Sequence, residues 1–188
     1  MTDLPTARTL RRKGTWTDAA LACTLTYDDR FLRRKVLELS DGGRFLVDLE
    51  HTESLDHGDA LELGDGRLVE ITAAAEELLE ISGHDLVRLA WHIGNRHTPC
   101  QIEHDRLLIQ RNHVMEDMLS RLGAHVHKVV EPFTPPYAVT PGGSYQTRVF
   151  FRPTSDSPPD RTATIVATAR IGNSSVVEAY RLPVMGWA

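Results

Sequence analysis

Cysteine is nearly missing from this chain: Cys23 and Cys100 are the only two among 188 residues. Two thiols cannot build a disulfide framework, and their scarcity suits a reducing, intracellular setting. Positive charge is also in short supply. Twenty-one Lys and Arg face 26 Asp and Glu, a net charge of -5, which argues against a protein whose main partner is a nucleic acid. No apolar run approaches the roughly 20 residues of a membrane span, and residues 1–12 lack the apolar segment of a secretory signal. Gly-x-Ser-x-Gly, His-Glu-x-x-His and the P-loop are all absent, so no nucleophile system or phosphate cradle is in view. These absences lead to the expectation of a soluble cytoplasmic protein with neither a membrane nor a nucleic acid as partner.

What is present is ordinary in bulk and unusual in one respect. Hydrophobic residues at 41% and charged residues at 25% are globular values, and the length allows one ordinary domain or two small ones with a real core. The unusual count is histidine. All nine lie between His51 and His127, at positions 51, 57, 84, 92, 97, 104, 113, 125 and 127. Imidazole titrates near neutrality and ligates borderline metals, so the cluster points to metal or proton chemistry.

The first seventy-odd residues read as short strands. Leu21–Tyr27 alternates apolar and polar side chains, and Phe31–Leu39 and Phe45–Leu49 flank the turn signal Ser40-Asp41-Gly42-Gly43. Two more short strands, Ala60–Leu63 and 67–72, make a small barrel or sandwich. The basic triplet Arg33-Arg34-Lys35 reads as a solvated strand face.

From Ala73 the texture is mixed. A strand over Glu77–Ile81 is followed by a helix that Ser82 can cap, with Leu86, Leu89, Ala90 and Ile93 on one face and Gly94 placed to end it in the left-handed conformation. Strands over 98–103 and 106–110 surround the turn at His104-Asp105. Asn112 caps a second helix whose stripe is Met115, Leu119 and Leu122 and whose stop is Gly123, and His125–Val130 closes as a strand. The order βαββαβ is the ferredoxin-like arrangement. The expected fold is therefore α+β: an amino-terminal all-β domain over residues 1–75, a ferredoxin-like domain over 76–137, and a Pro/Thr/Ser/Arg-rich, His-free tail over 138–188, read as disordered apart from a strand over 162–169.

Position sorts the histidines. His97 follows the helix-ending Gly94-Asn95-Arg96, where it either ligates a metal or hydrogen-bonds the last free carbonyls of the helix. His113 sits in the first turn of the second helix, whose dipole favours the neutral, metal-binding imidazole; an ordinary polar first-turn residue is equally compatible. His125 and His127 share one strand face, either a chelating pair or a solvated surface. Cys100 completes a His-x-x-Cys with His97, too weak a pattern for a structural zinc site. Glu76, Glu77 and Glu80 read as a solvated acidic edge.

The segment Trp91-His92-Ile93-Gly94-Asn95-Arg96-His97-Thr98-Pro99 resembles the His-Leu-Gly-Asn-Arg-His-x-Pro signature of the urease accessory protein E family, the nickel metallochaperones of urease maturation. Residues 112–123, Asn-His-Val-Met-Glu-Asp-Met-Leu-Ser-Arg-Leu-Gly, resemble that family's Asp-His-Val-Leu-x-x-Met-Leu-x-x-Leu-Gly helix, and Pro132-Phe133-Thr134-Pro135 its Pro-Phe-x-Pro. The resemblance spans roughly residues 20 to 137. It implies a partner-binding β domain and a ferredoxin-like domain that dimerises and binds metal. It further implies His97 as principal ligand, His113 as accessory ligand, and Ni(II) as cargo delivered with the GTPase-containing accessory complex to apo-urease. In a two-fold dimer one histidine near the axis supplies two imidazoles to one ion. Zn(II) and Cu(II) are the expected competitors. Weaker candidate ligands are His92, His125 and His127.

The chain departs from that pattern in three places. Asn112 stands where many members have Asp, preceded by Arg111, which removes a potential ligand. Leu49-Glu50-His51-Thr52-Glu53 replaces a Leu-Pro-Arg-Gly stretch. The His-rich carboxyl tail of many members is missing, so few nickel ions per dimer are expected. Two other readings compete with the non-catalytic carrier: a small metal-dependent hydrolase using His92, His97 and His113, which needs a carboxylate base that the sequence does not place, and a ferredoxin-like RNA-binding module, disfavoured by charge and by strands poor in aromatics.

Overall fold

The computed structural model describes residues 4–135 and, beyond them, the backbone of three strands, Ser144–Phe150, Thr162–Ile171 and Ser174–Pro183. Two compact units divide the chain. One comprises residues up to Glu76 together with Glu131–Thr134, the other Glu77–Val130 and the residues from Pro135 onward.

The first unit is β structure. Its strands are β1 (Thr6–Arg11), β2 (Leu21–Leu25), β3 (Phe31–Glu38), β4 (Arg44–Ser54), β5 (Ala60–Leu63) and β6 (Leu68–Ala73). They form one mixed sheet in the order β2-β6-β5-β1-β4-β3. β3 and β4 make the expected hairpin, closed by Leu39 N–H to the Gly43 carbonyl at 2.7 Å and Gly42 N–H to the Leu39 carbonyl at 2.9 Å. Gly42 takes φ +87° there, a conformation that only glycine adopts without cost. The Ser40 N–H, 2.8 Å from the Ala22 carbonyl, draws the two ends of the strand order together, so the sheet curls toward a barrel.

β1 was not legible in the sequence. It carries only Ala7 fully inside among Thr and Arg, and its edges are satisfied on both sides, parallel to β4 and antiparallel to β5. Alternate side chains of the other strands fill the core: Cys23 and Leu25, Phe45, Val47 and Leu49, Leu61 and Leu63, Val69 and Ile71.

Two polar side chains are buried in this unit, and both are paired, as burial demands. Asp59 accepts from Arg12 Nη1 at 2.9 Å, from Lys13 N–H at 2.9 Å and from Asp56 N–H at 3.0 Å. Arg30 donates to the carbonyl of Phe133 and lies over the Tyr27 ring, which meets the Phe133 ring edge-on at 5.2 Å. The fully buried Phe133 is thus why residues 131–134 return to the first unit.

The second unit runs β7 (Ala75–Ser82), α1 (Leu86–Gly94), β8 (Gln101–Ile102), β9 (Leu107–Gln110), α2 (His113–Arg121) and β10 (His125–Pro132). The sheet order β10-β7-β9-β8 places the fourth strand beside the first, then the third, then the second, which is the ferredoxin-like topology expected from the element order. The helices bury Val87, Leu89, Ala90 and Ile93 from α1 and Met115 and Leu119 from α2 against Leu79, Ile81, Leu107 and Ile109. Asn112 caps α2 as expected, accepting from Val114 N–H at 3.0 Å and Met115 N–H at 3.2 Å, and Gly123 follows in the left-handed region at φ +86°.

Two local expectations for α1 need correction. Ser82 belongs to β7, and the cap is Asp85, which accepts from Arg88 N–H at 3.0 Å. Gly94 ends the helix without turning left-handed. The chain coils on through Asn95 and Arg96, and the residue with positive φ is His97, at 54°.

Within the stretch read as a tail, β11 (Ser144–Phe150), β12 (Thr162–Ile171) and β13 (Ser174–Pro183) pair antiparallel in the order β11-β12-β13. β12 covers the strand expected from the alternation of Thr162–Ala169. The expectation of disorder for the segments around these strands falls outside the described residues.

Candidate metal centre

The end of α1 runs through Asn95 and Arg96 into His97. After Trp91 the backbone N–H groups of Asn95, Arg96 and His97 reach the carbonyls of Trp91, Ile93 and Gly94 at 2.9–3.0 Å. The Arg96 guanidinium folds back to the His92 carbonyl at 3.0 Å. The last carbonyls of the helix are therefore satisfied by backbone and by Arg96, and the capping role open to His97 in the sequence falls to its neighbour.

His97 is exposed, and among the described residues its imidazole has no hydrogen-bond or ion-pair partner. The left-handed backbone costs any residue with a Cβ about 1–2 kcal/mol. Asp18 and His97 are the two non-glycine residues with positive φ among the described residues, and strain of this kind is found more often at functional positions than elsewhere.

The remaining candidates are distributed differently. His92 is half-buried and meets the Trp91 ring edge-on at 4.9 Å. His113, the first residue of α2, is exposed beside the Asn112 cap. It lines a depression of about 490 Å³ with Val114, Asp117, Met118, Arg121 and Leu122. His125 and His127 are exposed on β10, while Val126 between them packs inward against the helices. No three His, Cys, Asp or Glu side chains gather into a potential metal site among the described residues. His92, His97 and His113 are therefore not brought together as a triad.

Cys100 is half-buried and packs against the core of the second unit, and burial pushes its thiol up to about 12. Cys23 is raised to about 11 for the same reason.

The acidic edge divides in two. Glu80 pairs with Arg106 at 2.7 Å and Glu77 with Arg111 at 3.0 Å, both in the second unit. Glu76 instead accepts from Tyr27 N–H in the first. Each of these three carboxylates is thus engaged by a neighbour, and none is free to serve the hydrolase reading as its base.

The sequence did not single out Arg96. Its signal, a cation just past the last turn, is common at helix ends and becomes specific only when the carbonyl it reaches is seen.

The exposed His97 at the end of α1 thus sits on a two-unit α+β scaffold, and the comparisons with known proteins place that scaffold in a family of accessory proteins. Residues 3–74 match the amino-terminal domain, and residues 68–150 the carboxyl-terminal domain, of the family described as UreE urease accessory protein. The "Urease accessory protein UreE" of Ruegeria pomeroyi is 62% identical over 143 residues, covering 76% of this chain and 93% of that one. The protein of the same name from Cereibacter sphaeroides is 56% identical over 146 residues, covering 77% of each. The chain belongs to the UreE family of urease accessory proteins. Among the described residues, no helix is long and apolar enough to cross a membrane.

Proposed function

We propose that this protein is a nickel metallochaperone, which carries Ni(II) as cargo and donates it to apo-urease during assembly of the urease metallocentre. The observation that carries the reading is the His97 imidazole: exposed, without an internal partner, and aimed by a left-handed backbone at the end of α1. One chain offers only a fragment of a coordination sphere, which is why the reading includes a homodimer. Two copies of His97 at a two-fold axis bridge one ion. A two-imidazole site leaves coordination positions open to an acceptor's ligands, so the ion leaves by exchange instead of dissociating into water.

His113 serves as accessory ligand, and His92, His125 and His127 contribute more weakly. The ferredoxin-like domain over 76–137 carries metal and dimer contacts, and the β domain over 1–75 engages partner proteins. Delivery takes place in the cytoplasm, together with the other urease accessory proteins and their GTPase component. Zn(II) and Cu(II) compete for the same imidazoles, copper with the higher intrinsic affinity.

Calorimetric titration of the purified protein with Ni(II), beside His97→Ala and with the mass of each species recorded, tests the reading. Uptake of about one tight ion per dimer, lost in a variant that stays dimeric, is the expected result. A variant that takes up nickel as the parent does would overturn the assignment to His97 and turn attention to His125 and His127.

A further inference from the structure

The outer edge of β3 carries a surface that neither the metal site nor the core uses. In an antiparallel pair, backbone groups point alternately toward the partner strand and away from it. The Leu39 N–H to Gly43 bond fixes the phase. With Leu37 opposite Phe45 and Lys35 opposite Val47, the odd residues of β3 bond to β4, and Arg34, Val36 and Glu38 turn their N–H and C=O groups outward.

Two other bonds agree with this phase. Leu46, opposite Val36, sends its own N–H away from β3 to the Pro5 carbonyl at 2.8 Å, and Ser40, next in the outward series, is the residue that bonds Ala22. Beyond Ser40, the outward groups of Glu38, Val36 and Arg34 have no partner among the described residues, since β3 stands at the end of the strand order.

At the centre of this edge the charged side chains are cationic and surround one apolar residue, with Glu38 at its far end. Arg33, Arg34, Lys35 and Val36 are all exposed, Val36 at 39%. Lys35 is held by Asp29 at 2.6 Å. Arg34 and Arg8 share the single carboxylate of Asp48 at 3.6 and 3.8 Å. Arg33 has no ion pair among the described residues. With Glu38, exposed on the same edge, and Arg44 opposite it, five cations thus face three carboxylates on a chain whose net charge is -5. Such a strip repels a second copy of itself, which protects the edge from self-association. The same charges attract an extended segment of opposite sign.

We propose that β3 is a docking edge for an acidic, extended segment of a partner protein. The segment adds as a further strand through the outward groups of Arg34, Val36 and Glu38, with carboxylates facing Arg33 and Arg34 and an apolar side chain against Val36. The proposal deepens the partner-engaging role given above to the β domain and rests on that part of the reading alone; nickel uptake at His97 does not enter it.

The test uses the full-length protein without metal and a blocked octapeptide of alternating Glu and Val, with the Lys/Val octapeptide as control. Binding of the acidic peptide alone is expected, with amide exchange slowed at Arg34 and Val36 and affinity lowered about tenfold or more by Arg33→Glu. Val36→Pro removes one outward N–H and leaves the β4 ladder intact, because a proline is tolerated where the N–H faces solvent. It should abolish binding while nickel titration remains that of the parent.

Unchanged exchange at Arg34 and Val36 in the parent with peptide bound would overturn the proposal whether or not the proline variant folds. So would a Val36→Pro protein that binds as tightly as the parent, or a single-stranded oligothymidylate that competes equally, since either reduces the strip to nonspecific attraction. Failure of the peptide experiment with normal nickel uptake would leave the carrier reading standing and this edge refuted.

Discussion

Replacing His97 by glycine should make the metal-free protein more stable while destroying its nickel site. The φ of 54° places His97 in the left-handed region, where a Cβ costs about 1–2 kcal/mol; the lower half of that range suits histidine, which tolerates the region better than most residues. Glycine avoids this cost but gives back roughly 0.5–1 kcal/mol through the greater freedom of its unfolded chain. Nothing else is lost, because the imidazole is exposed and unpartnered among the described residues. The balance is a gain of about 0.5 kcal/mol, or a rise of roughly 2–4 °C in the melting temperature of a unit of this size.

His97→Ala separates the two effects, since it removes the imidazole and keeps the strained Cβ. The expected order of stability is Gly above His, and His at or slightly above Ala, which bears the full cost of a Cβ in that region. The expected order of nickel affinity is His far above both variants. Thermal melts must be run with a chelator, since bound nickel would itself raise the melting point of the parent protein. A glycine variant that melts below the parent would refute the reasoning, because it would mean that the imidazole makes a stabilising contact. Nickel uptake retained by the glycine variant would refute the assignment of the ligand.

Three other perturbations follow from the packing. Asp59→Ala withdraws the acceptor of two backbone N–H groups and one guanidinium in the core of the β unit, and should cost about 2–4 kcal/mol in urea unfolding; a loss below about 1 kcal/mol would show that water replaces the carboxylate. Asn112→Ala removes the side-chain acceptor that caps the start of α2 and should cost about 1 kcal/mol, with faster amide exchange at Val114 and Met115 as the local signature. Burial raises the pKa of Glu103, but hydrogen bonds from Arg106 and Gln101 outweigh it and hold the carboxyl below its usual value. Its stabilisation is therefore present above the ordinary carboxylate pKa and lost as pH falls through the lower, folded value. Glu103→Gln should be less stable at neutral pH and show a flatter loss of stability toward acid; an acid limb identical to that of the parent would contradict this.

Some of this molecule is written locally. The alternation in Leu21–Leu25, the Gly-Asp turns flanking Ala60–Leu63, the Asp-Gly-Gly hairpin, the Asn112 cap and the Gly123 stop each act over a few residues, and the βαββαβ order followed from signals of this kind. Other features had no local signature. β1 is a strand only because β4 and β5 satisfy both its edges, and the Arg30–Phe133 contact joins residues over a hundred positions apart. At α1 the rules were present but chose the wrong residue: Ser82 lost the cap because β7 needed it as its last residue, and Gly94 lost the left-handed turn because the chain coils on to His97.

For the candidate site, the sequence by itself determined which side chains were available, and the resemblance of Gly94-Asn95-Arg96-His97 to a family motif singled out one of them as the candidate. Hydrogen-bond periodicity and ligand chemistry are properties of neighbouring residues, so they survive in one dimension. Only the tertiary structure decided that Arg96 takes the helix carbonyl, that Cys100 packs half-buried against the second core, that the nine histidines form no three-ligand group among the described residues, and that the Arg33-Arg34-Lys35 strip lies along an open edge. Each of those depends on what stands opposite in space, and burial and pairing between distant segments leave no period in the chain to read.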